Sequence, residues 1–322
     1  MDKYELIELS KYSGSKNIIC HLLAPKLAIC LTKVECARSY IVAIDDGIRY
    51  CLTGNARIFD QDSEYVILTD HTPTVQKLLD GSVRQKKWIK HPQMAEYDPS
   101  NVLASWANQF CFKEENNEDN PGLRRPQLGA LHAILGHFLS PNDIATVVLP
   151  TGTGKTETML SALVAGKCRK LLVTVPSSAL RSQLFTKFKH LGVLKNPKFG
   201  VVGSHALYPI VGVINTAFKT TEELSAFINK CNVVITTMQI IDSAPIEHQD
   251  IYVSSFTNIF VDEAHHIVAA SWRKFAERFP KERLIQFTAT PFRNDGEKLD
   301  GKIIFNYSLK QAQLDGYYRT IN

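Results

Sequence analysis

Two short stretches hold residues whose types and spacing suit chemistry. In VVLPTGTGKTET (Val147–Thr158), small turn residues precede a lysine and a threonine. In NIFVDEAHH (Asn258–His266), an apolar run closes on an aspartate–glutamate pair. Gly152 and Gly154 allow a tight turn whose backbone N–H groups point inward. A helix beginning near Lys155 would turn its positive end to the same spot, so Thr151, Gly152, Thr153 and Gly154 would line a phosphate socket. Lys155 would reach the β- and γ-phosphates of a nucleotide, and the Thr156 hydroxyl would bind Mg²⁺. Leu149 stands where the general pattern G-x-x-x-x-G-K-[ST] has its first glycine. Of the acidic pair, Asp262 suits Mg²⁺ held through its water shell. Glu263 suits the orientation and deprotonation of an attacking water. An acidic helix N-terminus would use the same two residues, but an upstream phosphate socket favours the chemical role.

Both stretches must be positioned by strands. IATVVLP, KLLVTVP, NVVITT, TNIFVDEA and RLIQFTAT are short apolar runs, and helical segments lie between them, at Thr156–Val164 and from about Ser178 to Leu191. TTEELSAFINK opens with a capping box, Thr220 and Glu223, and predicts a surface helix. Strands apolar on both faces, alternating with helices, imply a parallel sheet covered by helices on both faces. Ligands in such sheets sit beyond the carboxyl ends of the strands, where both motifs fall.

The 322 residues suffice for two domains. Apolar residues make up 44% and charged residues 21%, and the formal net charge is +5, compatible with a polyanionic partner. No apolar run approaches the roughly 18 residues that span a bilayer. The start, MDKYELIELSKY, is too charged for a signal peptide, so the expected location is cytoplasmic, with no membrane partner. The seven scattered cysteines form no C-x-x-C pair and argue against zinc. KEENNEDNPG, residues 113–122, reads as an acidic linker between an N-terminal accessory domain, 1–112, and a second domain, 123–322. In the first domain, SYIVAIDDGIRYCLTG predicts a hairpin turning at Asp46-Gly47, and EYVILTD predicts a strand. TPTVQKLLDGSVRQKKWIKHP and SNVLASWANQFCF read as helices, with Gly81 a candidate break in the first, which makes this a small α+β domain. Arg84, Lys86, Lys87 and Lys90 around Trp88 would form either a solvated helix face or a surface for a nucleic-acid strand.

Taken in order, the motifs resemble the first, RecA-like motor domain of superfamily 2 helicases and translocases with a DEAH-type box. The similarity runs over roughly Leu123–Tyr318 and is nearest to the motor subunits of type I and type III restriction enzymes. LRRPQ resembles the L-R-x-x-Q signature, which implies that Gln127, with Arg124 nearby, recognises adenine; Pro126 stands where an aromatic is common. VTVPSSALRSQL resembles motif Ia, VITTMQ motif Ib, and FTATPFRNDG motif III. GKIIFNYSLKQAQLDGYY is similar to the segment leading out of the first motor domain in restriction-type motors.

The resemblance implies an ATP- and Mg²⁺-dependent motor on nucleic acid, DNA in preference to RNA. Ser177, Thr237 and Arg181 would contact the phosphodiester backbone without reading sequence, although helix capping would place the two hydroxyls there as well. His265 would transmit the γ-phosphate state, and Thr288 and Thr290 would couple hydrolysis to movement. The resemblance places the arginine finger on a second motor domain, so this chain is expected to be part of a longer motor, binding ATP but hydrolysing it slowly alone. A nuclease or other subunit is a further expected partner. The alternative is a switch or scaffold that clamps a nucleic acid or partner without processive motion.

Overall fold

The computed structural model describes residues 3–7, 17–20, 26–30, 34–45, 47–80, 82–83, 85–92, 97–116, 120–141, 143–266, 274, 277–292 and 299–317. They fall into two compact units. One comprises Met1–Ser13 and Leu22–Tyr97, the other Gly14–His21 and Asp98–Asn322.

In the smaller unit, β1 (Lys3–Ile7) pairs antiparallel with β3 (Lys26–Cys30); β2 (Ile18–Cys20), between them in sequence, belongs to the larger unit. A five-stranded sheet follows, ordered as the chain runs: β4 (Val34–Cys36), β5 (Tyr40–Asp45), β6 (Ile48–Thr53), β7 (Tyr65–Thr69) and β8 (Gln85–Lys90). The expected hairpin is β5–β6, with Asp45 opposite Ile48 and Gly47 at φ 80° in the turn; Asp46 lies outside the described residues. Alternation along the strands sends Ile41, Leu52, Ile67 and Trp88 into one apolar cluster and Val42, Cys51 and Val66 into another.

The helix expected over residues 72–92 is corrected. Only α1 (Val75–Leu79) is helical, capped by the Thr74 hydroxyl, and the chain then returns as β8 antiparallel to β7. The cause is Trp88, which is 7% exposed and packs beside Ile67, Leu78 and Val83. A strand buries that ring while leaving Lys86 and Lys90 exposed. Trp88 therefore offers no face on which a base could stack; Arg84 and the Lys87 side chain lie outside the described residues.

The division between units falls at Tyr97/Asp98, not at the acidic stretch. α2 (Pro99–Ser105), capped by Asp98, is shorter than expected and opens the larger unit. Trp106 next to it is 1% exposed and donates its indole N–H to the Leu207 carbonyl (2.9 Å). Residues 113–122 are not a linker between the units. Leu123 N–H bonds to Lys113 O (2.8 Å), Glu115 N–H bonds to Leu123 O (2.9 Å), and residues 117–119 lie outside the described residues.

The larger unit is built on an eight-stranded sheet containing β9 (Ala145–Val148), β10 (Leu171–Val175), β11 (Val211–Val213), β12 (Val233–Thr237), β13 (Asn258–Asp262), β14 (Leu284–Thr288) and β15 (Lys302–Asn306). Its order is β15-β9-β14-β13-β10-β12-β11-β2, parallel throughout except for the antiparallel edge strand β2. This is the parallel α/β sheet, covered by helices on both faces, that the sequence predicts. β9, β10, β12 and β14 are buried along their whole length, which is why each is mostly apolar and shows no alternation of apolar and polar residues. α3 (Arg125–Leu139), α4 (Lys155–Ala165) and α5 (Ser178–His190) cover one face. α6 (Thr221–Asn229), α7 (Met238–Asp242) and α8 (Ile246–Ser255) pack on the other through Leu172, Val234, Ile259 and Leu284. α9 (Leu309–Leu314) follows β15. Among the described residues no helix is long and apolar enough to cross a membrane.

Candidate active site

Strands β9, β14 and β13 are successive neighbours, and their carboxyl ends carry the loop, Thr288 and the acidic pair in that order. The loop is tied to the sheet where it starts, because Leu149 donates its N–H to Thr288 O (2.8 Å). It then folds on itself. Thr153 directs both its N–H (3.2 Å) and its hydroxyl (2.7 Å) to Pro150 O. Gly152 (φ 84°) and Gly154 (φ 97°) adopt the left-handed backbone that the turn needs. A Cβ at Gly154 would lie 1.8 Å from Gln127 Nε2, so a side chain there would have to displace Gln127. Gly154 precedes α4 without a side-chain cap, leaving the first N–H groups of that helix to face the loop. Thr151 and Gly152 are exposed, and Thr156 is half-buried in the first turn.

The acidic pair meets this loop. Lys155 Nζ lies 3.0 Å from Glu263 Oε1, both groups largely buried. Asp262 is 5% exposed and accepts the Glu263 N–H on Oδ1 (3.0 Å). Burial, and then the neighbouring Glu263 charge, push the Asp262 carboxyl up to about 7, against the pull of Lys155. Glu263 itself sits at φ 50°, an uncommon backbone for a residue with a side chain. Its second oxygen is 3.5 Å from His265 Nδ1. His265 Nδ1 also stands 3.0 Å from Thr288 Oγ1, which donates its only proton to Thr290 O (2.6 Å). The nitrogen must therefore be the donor, and this selects the Nδ1–H form of the ring. Lys155, Glu263, His265, Thr288 and Thr290 thus form one continuous polar chain from the loop to β14.

α3 adds a third wall. Gln127 Oε1 accepts the Arg124 N–H (2.7 Å), and Gln127 Nε2 points to Gly154 O (3.5 Å). The Arg124 guanidinium donates to Gly152 O (2.9 Å) and lies over the Tyr317 ring, 5.1 Å from its centroid. Sequence reasoning missed Tyr317; the signal was Gly316 just before it, a helix-ending glycine.

The three residues expected to touch nucleic acid are placed differently from one another. Ser177 is exposed and caps α5 by accepting the Leu180 N–H (3.3 Å). Thr237 ends β12 and is 9% exposed, with no side-chain cap to α7. Arg181 is corrected: it is 4% exposed and donates to Ile214 O (3.2 Å), because its face of α5 packs on the sheet. Its burial keeps that guanidinium away from the solvent in which an external phosphate would meet it.

A family model described as "Type III restriction enzyme, res subunit" matches residues 120–293. No curated protein matches the chain. Among solved structures it is similar to the UvsW helicase from bacteriophage T4, at 17% identity and TM-score 0.37, covering 61% of this chain and 61% of that one. It is also similar to a nuclease-deletion mutant of the Type ISP restriction-modification enzyme LlaGI in complex with a DNA substrate mimic, at 22% identity and TM-score 0.44, covering 61% and 20%. A third is the Pyrococcus furiosus Hef helicase domain, at 24% identity and TM-score 0.35, covering 50% and 32%. The chain spans less than two thirds of the length of each of these structures.

Proposed function

The chain belongs to the type III restriction enzyme res subunit family, matched over residues 120–293, and from that premise we propose that it binds ATP with Mg²⁺ and hydrolyses it to drive movement on nucleic acid, DNA in preference to RNA, when joined to a second motor domain. The observation that carries the proposal is the meeting of Lys155 and Glu263 at 3.0 Å beside a turn built on the left-handed glycines Gly152 and Gly154.

The residues present fit that cofactor. The uncapped start of α4 and the bare turn suit phosphate oxygens, and the buried Lys155 ammonium suits a further negative charge. Thr151–Thr156 would hold the phosphates, Thr156 and Asp262 the Mg²⁺, and Arg124 and Gln127 the adenine. A divalent cation near Asp262 would restore its ionised form, which burial now opposes. When bound, MgATP supplies the phosphoanhydride whose cleavage releases the driving free energy.

Within the chain, Glu263 is the proposed base for the attacking water, and its ion pair with Lys155 keeps it engaged until Lys155 is drawn to phosphate. His265 touches both Glu263 and Thr288, so a change at the carboxylate reaches the end of β14 through two contacts. Thr288 and Thr290 are the proposed coupling residues. Ser177 and Thr237 are the proposed contacts to the nucleic-acid backbone, where binding should be sequence-independent and weaken steeply with salt.

The test is ATPase activity of the full-length gene product with single-stranded DNA, duplex DNA and RNA in parallel. The expected result is stimulation by DNA that is lost in Lys155→Ala and Glu263→Gln. Unchanged turnover in both variants would end the proposal, and tight ATP binding with no turnover would convert it to a binding switch.

A further inference from the structure

Arg124 is the meeting point of the phosphate loop and the Tyr307–Tyr317 segment. Its guanidinium donates to Gly152 O, and its charged end lies over the ring of Tyr317. Tyr317 is held there by its backbone and by its hydroxyl. α9 ends in a Schellman turn: Gly316 takes φ 80° and bonds to Gln313 O (3.1 Å), and the Tyr317 N–H bonds to Ala312 O (2.9 Å). The Tyr317 hydroxyl donates to Glu115 Oε1 (3.1 Å). The start of the segment is anchored as well. Tyr307 donates its N–H to Val148 O (3.0 Å), the last residue of the strand that runs into the phosphate loop, and its hydroxyl to Asp315 Oδ2 (2.5 Å).

A turn with two left-handed glycines has a large choice of backbone conformations. The contact of Gly152 O with Arg124 narrows that choice, and the contact is only as firm as the guanidinium is fixed. We propose that Tyr317 is a positioning residue for the phosphate loop: its ring sets the Arg124 guanidinium, Arg124 holds Gly152, and the set of the loop and the set of residues 309–317 change together. The proposal rests on the reading of this loop as a triphosphate site. If the competent loop is one of several conformations, apparent affinity falls by the fraction in which it is present. A guanidinium–ring contact supports a loss of about threefold to tenfold.

Hydrogen–deuterium exchange on the nucleotide-free protein, with Kd for a fluorescent ATP analogue, tests this. Tyr317→Leu should speed exchange over residues 150–157 and raise Kd by about threefold to tenfold, while Tyr317→Phe, which keeps the ring and its backbone anchor but loses the bond to Glu115, should have a smaller effect than Tyr317→Leu on both readouts. Arg124→Leu should speed exchange as much, and the double variant should be no faster than either single one, because both act on one contact. Unchanged exchange in Tyr317→Leu, or additive effects in the double variant, would overturn the proposal. Should Tyr317→Leu not fold, Arg124→Gln decides: exchange over 309–317 must rise there too, because coupling is reciprocal, and no rise refutes it. The nucleotide reading is judged separately, by whether Lys155→Ala loses the analogue.

Discussion

Lys155 and Glu263 compensate each other's charge in a place that water scarcely reaches. Removing either charge leaves the other poorly solvated, so the gentlest probe is an isostere. Glu263→Gln is expected to bind ATP within a few-fold of wild type and to hydrolyse it about 10²–10⁴-fold more slowly, read by single-turnover kinetics beside equilibrium binding. Equal losses in both measurements would assign Glu263 to binding instead. Arg181 carries a prediction of the opposite kind. Its guanidinium serves Ile214 O, which also accepts the Thr236 hydroxyl (3.1 Å). Arg181→Met should cost about 1–3 kcal/mol of stability by denaturant unfolding. Its DNA affinity should follow the wild-type salt series, and a shallower salt slope would restore Arg181 as a phosphate contact.

At the scale of elements, the join of β9 to α4 depends on one glycine. Gly154→Ala would force a Cβ against Gln127 and strain a left-handed residue. Loss of nucleotide binding in a protein that still folds is the expected outcome, measured by calorimetric titration beside circular dichroism. α5 offers a pH test at its far end. Burial, and then the Lys189 charge, push His190 down to about 4 from its ordinary 6.5. The folded state then binds fewer protons than the unfolded state between those values. His190 therefore contributes stability that is complete above pH 6.5 and is lost as pH falls towards 4. His190→Asn should lose less Tm than wild type between neutral pH and the acid end of that window, and parallel Tm–pH curves would refute this. The central strands were readable because burial on both faces leaves short, mostly apolar runs. β8 was not, since QKKW carries no strand period and only the cluster of Trp88 with Ile67 and Leu78 decides its form.

At the scale of the whole chain, the larger unit is completed by residues remote in sequence. β2 pairs antiparallel with β11, and Asn17 stitches the join: its Oδ1 accepts the N–H groups of Asn215 (2.8 Å) and Thr216 (3.1 Å), and its Nδ2 donates to Thr216 O (3.1 Å). Asn17→Ala should lower stability by about 1–3 kcal/mol, seen as an earlier urea midpoint with unchanged slope. No loss would mean that β2 contributes little to the sheet.

The sequence by itself determined the glycine turn before Lys155, the acidic pair at a strand end, the central strands as parallel apolar runs and the hairpin at Gly47. Each is a local pattern, in which neighbouring residues carry both the element and its chemistry. Tertiary structure decided the rest: that Lys155 rests on Glu263, that Arg181 faces inward, that residues 113–122 belong to the larger unit, that Ile18–Cys20 closes its sheet, and that Tyr317 lies on Arg124. These depend on which distant surfaces must be buried together, and a chain read one residue after another does not state that.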